Sequence, residues 1–339
     1  MKRSVLVFSQ PFVLRLQEED TPAPAEEEAL IRTELSAISS GTEGLVYSGL
    51  FPGDMELDSS IPSLRGAFDY PLRYGYACVG RVEDVGPGVS REWIGKRVFG
   101  FQPHMSAFTA RTSDLVLLPE DLSSKEAALL PSMETAVSLV QDGSPLLGER
   151  ILVVGQGVIG LLTAGLLAGM APQALCTLDR FSLRRRTSER LGATASLDPE
   201  DPELASGLGS RLTSGGADLA FELSGSLQGL NTALKWTGFC GRIVVGSWYG
   251  AKQGHVDLGG RFHRSRIRIA SSQVSSIDPK LAGRWNKPRR LDLALSWLKR
   301  LRPSRLISHV FPLSRAPEAF ELLHSRPEET LQIILQHQT

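Results

Sequence analysis

Six residues, Gly155-Gln156-Gly157-Val158-Ile159-Gly160, constrain this chain more than any other stretch. They sit where an apolar run, Arg150–Val154, reads as a buried strand and Ile159–Met170 reads as the helix that follows. In such a turn the first glycine permits the tight bend, and the second lets a pyrophosphate approach the backbone. The third allows the helix to pack closely on the strand. Val158 and Ile159 open the helix, whose first N–H groups have no partner within it and carry a partial positive charge. Asp179 follows the next strand, Ala174–Leu178, and lies 24 residues after Gly155, close to the spacing of about 20 at which an acidic residue meets the adenosine ribose. A carboxylate there repels a 2′-phosphate and favours NAD over NADP. Arg180 and the run Arg184–Arg186 pull the other way. Glycine-rich packing without any ligand is the plainer alternative.

Strands and helices alternate from about residue 135. Helix Ser182–Leu191 closes on Gly192, strands follow at Asp218–Glu222 and Arg242–Gly246, and helix Leu227–Thr237 lies between them. This rhythm predicts a parallel sheet with right-handed crossovers. The part before it has another rhythm. Short strands are expected at Ser4–Phe8, Glu28–Ser36, Tyr76–Val85, Arg97–Gly100 and Asp114–Leu118, with a helix at Ser124–Leu130, which fits an antiparallel barrel. Beyond about 275 come a helix at Leu291–Leu301, a strand at Ile307–Phe311, a helix at Ala316–Ser325 and a strand at Thr330–Leu335.

Composition narrows the function classes. The 339 residues balance 37 Lys plus Arg against 37 Asp plus Glu, so net charge gives no reason to expect nucleic acid or membrane partners. The zero is nevertheless a sum of opposed regions: residues 1–135 are net −8, residues 136–339 are net +8, and 261–305 alone are net +11. Cys78, Cys176 and Cys240 are too few and scattered for a disulfide framework, and they point to a reducing, cytoplasmic setting. Met1–Leu16 is interrupted by Gln10, Pro11 and Arg15, so two short strands are expected there rather than a targeting segment.

The order of parts resembles the medium-chain dehydrogenase/reductase superfamily, the zinc alcohol dehydrogenases and quinone reductases. The stretches carrying the resemblance are Ser36–Glu43, Tyr70–Gly80 with Val85-Gly86, Gly155–Gly160, and Asp218–Ser226. It implies an α/β plus β-rich protein, with a GroES-like barrel catalytic domain (1–135 and 276–339) and an inserted Rossmann doubly wound parallel-sheet domain (136–275). It also implies cofactor contacts from Ser224, Gly225, Gly246 and Ser247, with Arg184 against the ribose, and a homodimer.

Departures from the family pattern bear on the chemistry. Ser40-Gly41-Thr42-Glu43 stands where zinc members have Cys-Gly-Thr/Ser-Asp, and Gly75-Tyr76-Ala77 replaces Gly-His-Glu. The third ligand position falls near Leu130–Ser132, with Glu134 just beyond, and the four-cysteine structural lobe is absent. Serine, tyrosine and alanine do not make a catalytic zinc site, so no zinc is expected. Among zinc-independent relatives, the motifs look most like those of the bacteriochlorophyllide hydroxyethyl dehydrogenases. Without a Lewis acid, hydrogen-bond donors and a proton path must serve the substrate oxygen. The resemblance puts Thr42 at the hydroxyl relay position. Ser40 and Tyr76 are expected to point into one small volume, with Tyr76 exchanging the proton unless it merely fills space. Glu43 is either catalytic or a structural partner. Tyr47 and His104 are weaker candidates for the substrate pocket.

Arg264, Arg266 and Arg268 alternate with Ile267 and Ile269, as on the exposed face of a strand. Arg284–Arg290 with Trp285 is expected over a cleft, receiving an anionic group through arginine's bidentate fork. Three functions are then open. One is an NAD-dependent, zinc-independent oxidoreductase of a secondary alcohol or ketone. Another is a reductase of activated double bonds, as in the quinone and enal reductases. The third is a dinucleotide-binding regulator without turnover.

Overall fold

The structure, a computed structural model, describes residues 2–53, 55–58, 60–212 and 215–337. The chain divides into two compact units, one of Met1–Pro131 with Leu298–Thr339 and one of Ser132–Trp297. The second unit runs past 275, where the expected insertion ends, because most of helix Lys287–Leu301 belongs to it.

The second unit is built on six parallel strands. Their spatial order is Ala195–Leu197, Ala174–Leu178, Arg150–Val154, Ala217–Glu222, Thr237–Val245, Arg268–Ser271. Chain order reverses between Arg150–Val154 and Ala217–Glu222, the switch point at which doubly wound sheets bind ligands beyond their carboxyl ends. Both faces of the central strands are buried, as parallel sheets require. Leu152, Val154, Ala220 and Ile243 pack to one side, and Ile151, Val153, Phe221 and Val244 to the other. Helix Val158–Ala168 has nine buried residues, so it has almost no polar face to signal its period.

Three elements depart from expectation for physical reasons. Helix Leu204–Leu212 carries Ser206, Gly207 and Gly209, weak helix formers, and is held by buried Leu208 and Leu212. Strand Thr237–Val245 begins five residues before the expected start because Thr237 already pairs with Ala217. The alternating arginines do not form one strand face: Arg264 ends the helical turn Arg261–Arg264, Arg266 has a φ of +51°, and the strand starts at Arg268.

The first unit holds a hairpin, Lys2–Gln10 with Val13–Asp20, and a seven-stranded sheet. Strands Glu28–Ala37, Cys78–Val85, Arg97–Gly100 and Leu115–Leu117 pair antiparallel in that order, and Ala107–Arg111 pairs with the first of them. The last strand, Gln332–Gln336, joins antiparallel to Glu28–Ala37 and parallel to Ile307–Pro312. Ser123 caps helix Ser124–Ala127 through a capping box with Glu126. Among the described residues no helix is long and apolar enough to cross a membrane.

Within the second unit the basic stretch is partly turned inward. Arg290, 1% exposed, donates to Glu134 Oε1 at 3.0 and 3.1 Å, to Ser138 Oγ, and to the Val274 and Ser276 carbonyls. Lys287 also reaches Glu134, at 3.2 Å. The expected anion-receiving set therefore loses Arg290 and Lys287 to an internal carboxylate. Arg289 lies over the Trp285 ring at 4.2 Å, and Arg284 is exposed. Truncating one partner of a buried pair leaves a charge uncompensated, at a cost of about 3–5 kcal/mol. Arg290→Met is expected to lose stability of that order in urea unfolding; a loss below about 1 kcal/mol would contradict the assignment.

Candidate active site

In the second unit, the residues singled out for a dinucleotide all follow strand carboxyl ends. Gly155 has a φ of +93°, and a Cβ on it would lie 2.5 Å from Ser224 N, so the two loops at the switch point touch through it. A Cβ on Gly160 would lie 2.0 Å from the Gly155 carbonyl oxygen, the close helix–strand approach the motif requires. Gly157 differs: a Cβ there meets nothing within 4 Å, which leaves room for a phosphate beside the N–H groups opening helix Val158–Ala168.

Asp179 is 8% exposed, and it organises this turn. Its Oδ2 accepts from Gln156 N at 2.7 Å and its Oδ1 from Phe181 N at 2.9 Å. Each oxygen retains a lone pair for a ribose hydroxyl. Arg184 Nη1 stands 3.9 Å from Oδ2, and Arg184 and Arg180 both lie over the Phe181 ring, at 4.8 and 5.5 Å. On the other loop, Gly225 N donates to Ser247 Oγ at 2.8 Å, which ties Ser224-Gly225 to Gly246-Ser247. Fully buried Glu222 accepts from Ser224 N at 2.8 Å and from the Tyr249 hydroxyl at 2.6 Å. Burial, then the Glu222 hydrogen bond and charge, raise the Tyr249 pKa. The residues present fit a dinucleotide. Gly157→Ala is expected to change stability by no more than about 0.5 kcal/mol while weakening NADH binding at least about tenfold; calorimetric titration with an unfolding curve checks both.

In the first unit a buried polar chain lies behind Tyr76. The Tyr76 hydroxyl donates to Ser39 Oγ at 2.5 Å. Ser39 N donates to Glu43 Oε1 at 2.8 Å, and Glu43 Oε2 faces His104 Nε2 at 2.7 Å. His104 Nδ1 faces Ser36 Oγ at 2.8 Å, which in turn faces His337 Nε2 at 2.9 Å. Glu43, His104 and Ser36 are all fully buried. Nδ1 of His337 has no partner. A donor order from His337 through Ser36 and His104 to Glu43 leaves an acceptor, not an N–H, unpaired, and this is the less costly arrangement. Burial, then the charge of Glu43, push the Tyr76 hydroxyl up to about 12, against the hydrogen bonds of Ser39 and Thr42.

Three expectations are corrected here. Ser40 is exposed, and the hydroxyl that meets Tyr76 belongs to its neighbour Ser39. A turn at Ser39–Gly41 leads into helix Thr42–Ser48 and rotates position 40 outward; adjacent serines gave no signal to choose between them. His104 lines no substrate pocket, because both its nitrogens are engaged and its ring is buried. Tyr47 is a core residue at 4% exposure, packed edge-on against Phe12 and bonded to Glu321 at 3.3 Å. Ser36 and His337 were missed, since nothing in the sequence joins positions 301 residues apart.

No protein-family model matches the chain. It is 24% identical to the D-guloside 3-dehydrogenase of Escherichia coli (strain K12), over 97% of this chain and 98% of that one. To the sorbitol dehydrogenase of Mus musculus it is 25% identical, over 60% and 54%. Among solved structures, an oxidoreductase/dehydrogenase of unknown specificity from Escherichia coli superposes with a TM-score of 0.81 at 18% identity, covering 100% of both chains. The 2R,3R-butanediol dehydrogenase of Bacillus subtilis does so with 0.80 at 20% identity, covering 98% and 99%. Relatives of this kind are alcohol, sorbitol and butanediol dehydrogenases, and the chain is similar to these alcohol-dehydrogenase-like medium-chain dehydrogenases/reductases.

Among the described residues no group of three or more His, Cys, Asp or Glu could hold a metal. The one nearby imidazole–carboxylate pair, His104 with Glu43, is spent on itself and on Ser36 and Ser39. Burial pushes the Cys78 thiol up to about 12.

Burial, with His104 adding to it, also lowers the His337 pKa from its ordinary 6.5 to about 3. Below pH 6.5 the unfolded chain takes a proton that the folded chain refuses. The contribution is therefore intact above about 6.5 and is lost as pH falls toward 3, by up to about tenfold in the folding constant per unit. Between pH 7 and 5, His337→Gln is expected to lose less stability than the wild type; parallel losses would contradict the buried neutral imidazole.

Proposed function

We propose that this oxidoreductase works without zinc, prefers NAD to NADP, and exchanges the substrate proton through Tyr76, its substrate being a secondary alcohol or the matching ketone. The observation carrying this reading is the Tyr76 hydroxyl held by Ser39 over a buried Glu43–His104 pair, with Tyr76 at the motif position where the resemblance puts the zinc members' histidine. The relatives named for a guloside, sorbitol and butanediol support the substrate class.

Hydride exchange is the chemistry a bound nicotinamide supplies. Gly157, the amides opening helix Val158–Ala168 and Asp179 would hold the dinucleotide, with the Asp179 carboxylate disfavouring a 2′-phosphate. Ser39 and Thr42 orient the Tyr76 hydroxyl. Held near 12, that hydroxyl bears its proton at neutral pH, ready for a carbonyl oxygen in reduction. Alcohol oxidation instead needs the scarce phenolate. Because one proton is released per alcohol oxidised, the ratio of the two directions must change about tenfold per pH unit. All of that change then falls on oxidation.

The test uses D-sorbitol with NAD and butane-2,3-dione with NADH. From pH 6 to 9, kcat/KM for oxidation is expected to rise about tenfold per unit while reduction stays flat. Tyr76→Phe should lower kcat at least about tenfold, roughly 1.4 kcal/mol. Unchanged turnover in that variant, or one tightly held zinc per chain in the purified protein, overturns the reading.

A further inference from the structure

His104 touches Tyr76 by two independent routes, and neither belongs to the proton exchange itself. The first is steric. Gly75 has a φ of +119°, and a Cβ on it would stand 2.8 Å from His104 Cδ2 and 2.9 Å from Nε2, so the imidazole lies flush against the backbone that carries Tyr76. The second is polar, through Glu43 and the Ser39 amide to the Ser39 hydroxyl that accepts the Tyr76 hydrogen bond. The ring is itself clamped, by Ser36 on Nδ1 and by edge contact with Phe320 at 6.4 Å. A fully buried carboxylate requires hydrogen bonds to stay ionised and in place. Glu43 draws one from Ser39 and one from His104.

We propose that His104 is the positioning residue of Tyr76: its imidazole sets the Gly75-Tyr76 backbone and, by holding Glu43, locks the Ser39 hydroxyl on which Tyr76 rests. The proposal deepens the reading of Tyr76 as the proton-exchanging group and rests on it.

His104→Phe keeps a ring beneath Gly75 and removes both nitrogens. Ser39 lies outside any helix or strand and its amide bonds to Glu43, so that amide's hydrogen exchange reports the lock directly. In folded His104→Phe, exchange at Ser39 is expected to quicken at least about tenfold. Turnover of butane-2,3-dione with NADH should fall in kcat by a similar factor, with KM within about threefold. His104→Gln, which restores an N–H toward Glu43, should recover most of the protection. Should His104→Phe fail to fold, Ser36→Ala removes one clamp of the ring and is expected to give a smaller change of the same sign. A Ser39 amide as protected in these variants as in the wild type overturns the proposal. Exchange needs no turnover, so a Tyr76→Phe enzyme of full activity would sink the Tyr76 reading while leaving the positioning measurement to stand or fall by itself.

Discussion

Among the described residues, four carboxylates are withdrawn almost wholly from water, and much of the architecture answers to them. An ionised carboxylate in a protein interior is stable only when hydrogen-bonded or paired. Asp179 is met by two backbone amides, Glu222 by Ser224 and Tyr249, Glu134 by Arg290 and Lys287, and Glu43 by Ser39 and His104. In each case at least one partner comes from a different segment, so satisfying the charge also fixes one loop against another. Asp179 shapes the glycine turn, Glu222 the opposite loop of the switch point, and Glu43 the Tyr76 support. Glu134 does the corresponding work for the helix that begins at Lys287.

This pattern explains what was legible in the sequence and what was not. The parallel sheet could be read because its cues are local: Arg150–Val154 and Ala174–Leu178 have the bounds their apolar runs suggest, and the glycine motif sits between strand and helix as its spacing requires. Helix Leu204–Leu212 was hidden because packing, not propensity, holds it. The inward turn of Arg290 was hidden too, since a basic run looks the same whether it faces solvent or a buried glutamate 156 residues away.

The proposed proton-exchange site was legible in kind but not in detail. Motif position pointed to residues 40, 42, 43 and 76, and three of those four do gather. The shift from Ser40 to Ser39 is one residue, and in a turn one residue reverses the direction of a side chain. His104 had looked like a lone histidine in a strand-rich region. Its place became clear only once strands Glu28–Ala37 and Gln332–Gln336 were paired, which brings Ser36 and His337 to it.

The contact between Gly75 and His104 has a consequence for how such a chain can vary. A side chain at 75 has nowhere to go while an imidazole fills the space 2.8 Å from its first carbon. A smaller residue at 104 would in turn leave Glu43 with only the Ser39 amide of its two donors. Position 75 is therefore confined to glycine for as long as position 104 carries a ring in that space, so the residue allowed at one place is set by a side chain 29 positions further along the chain.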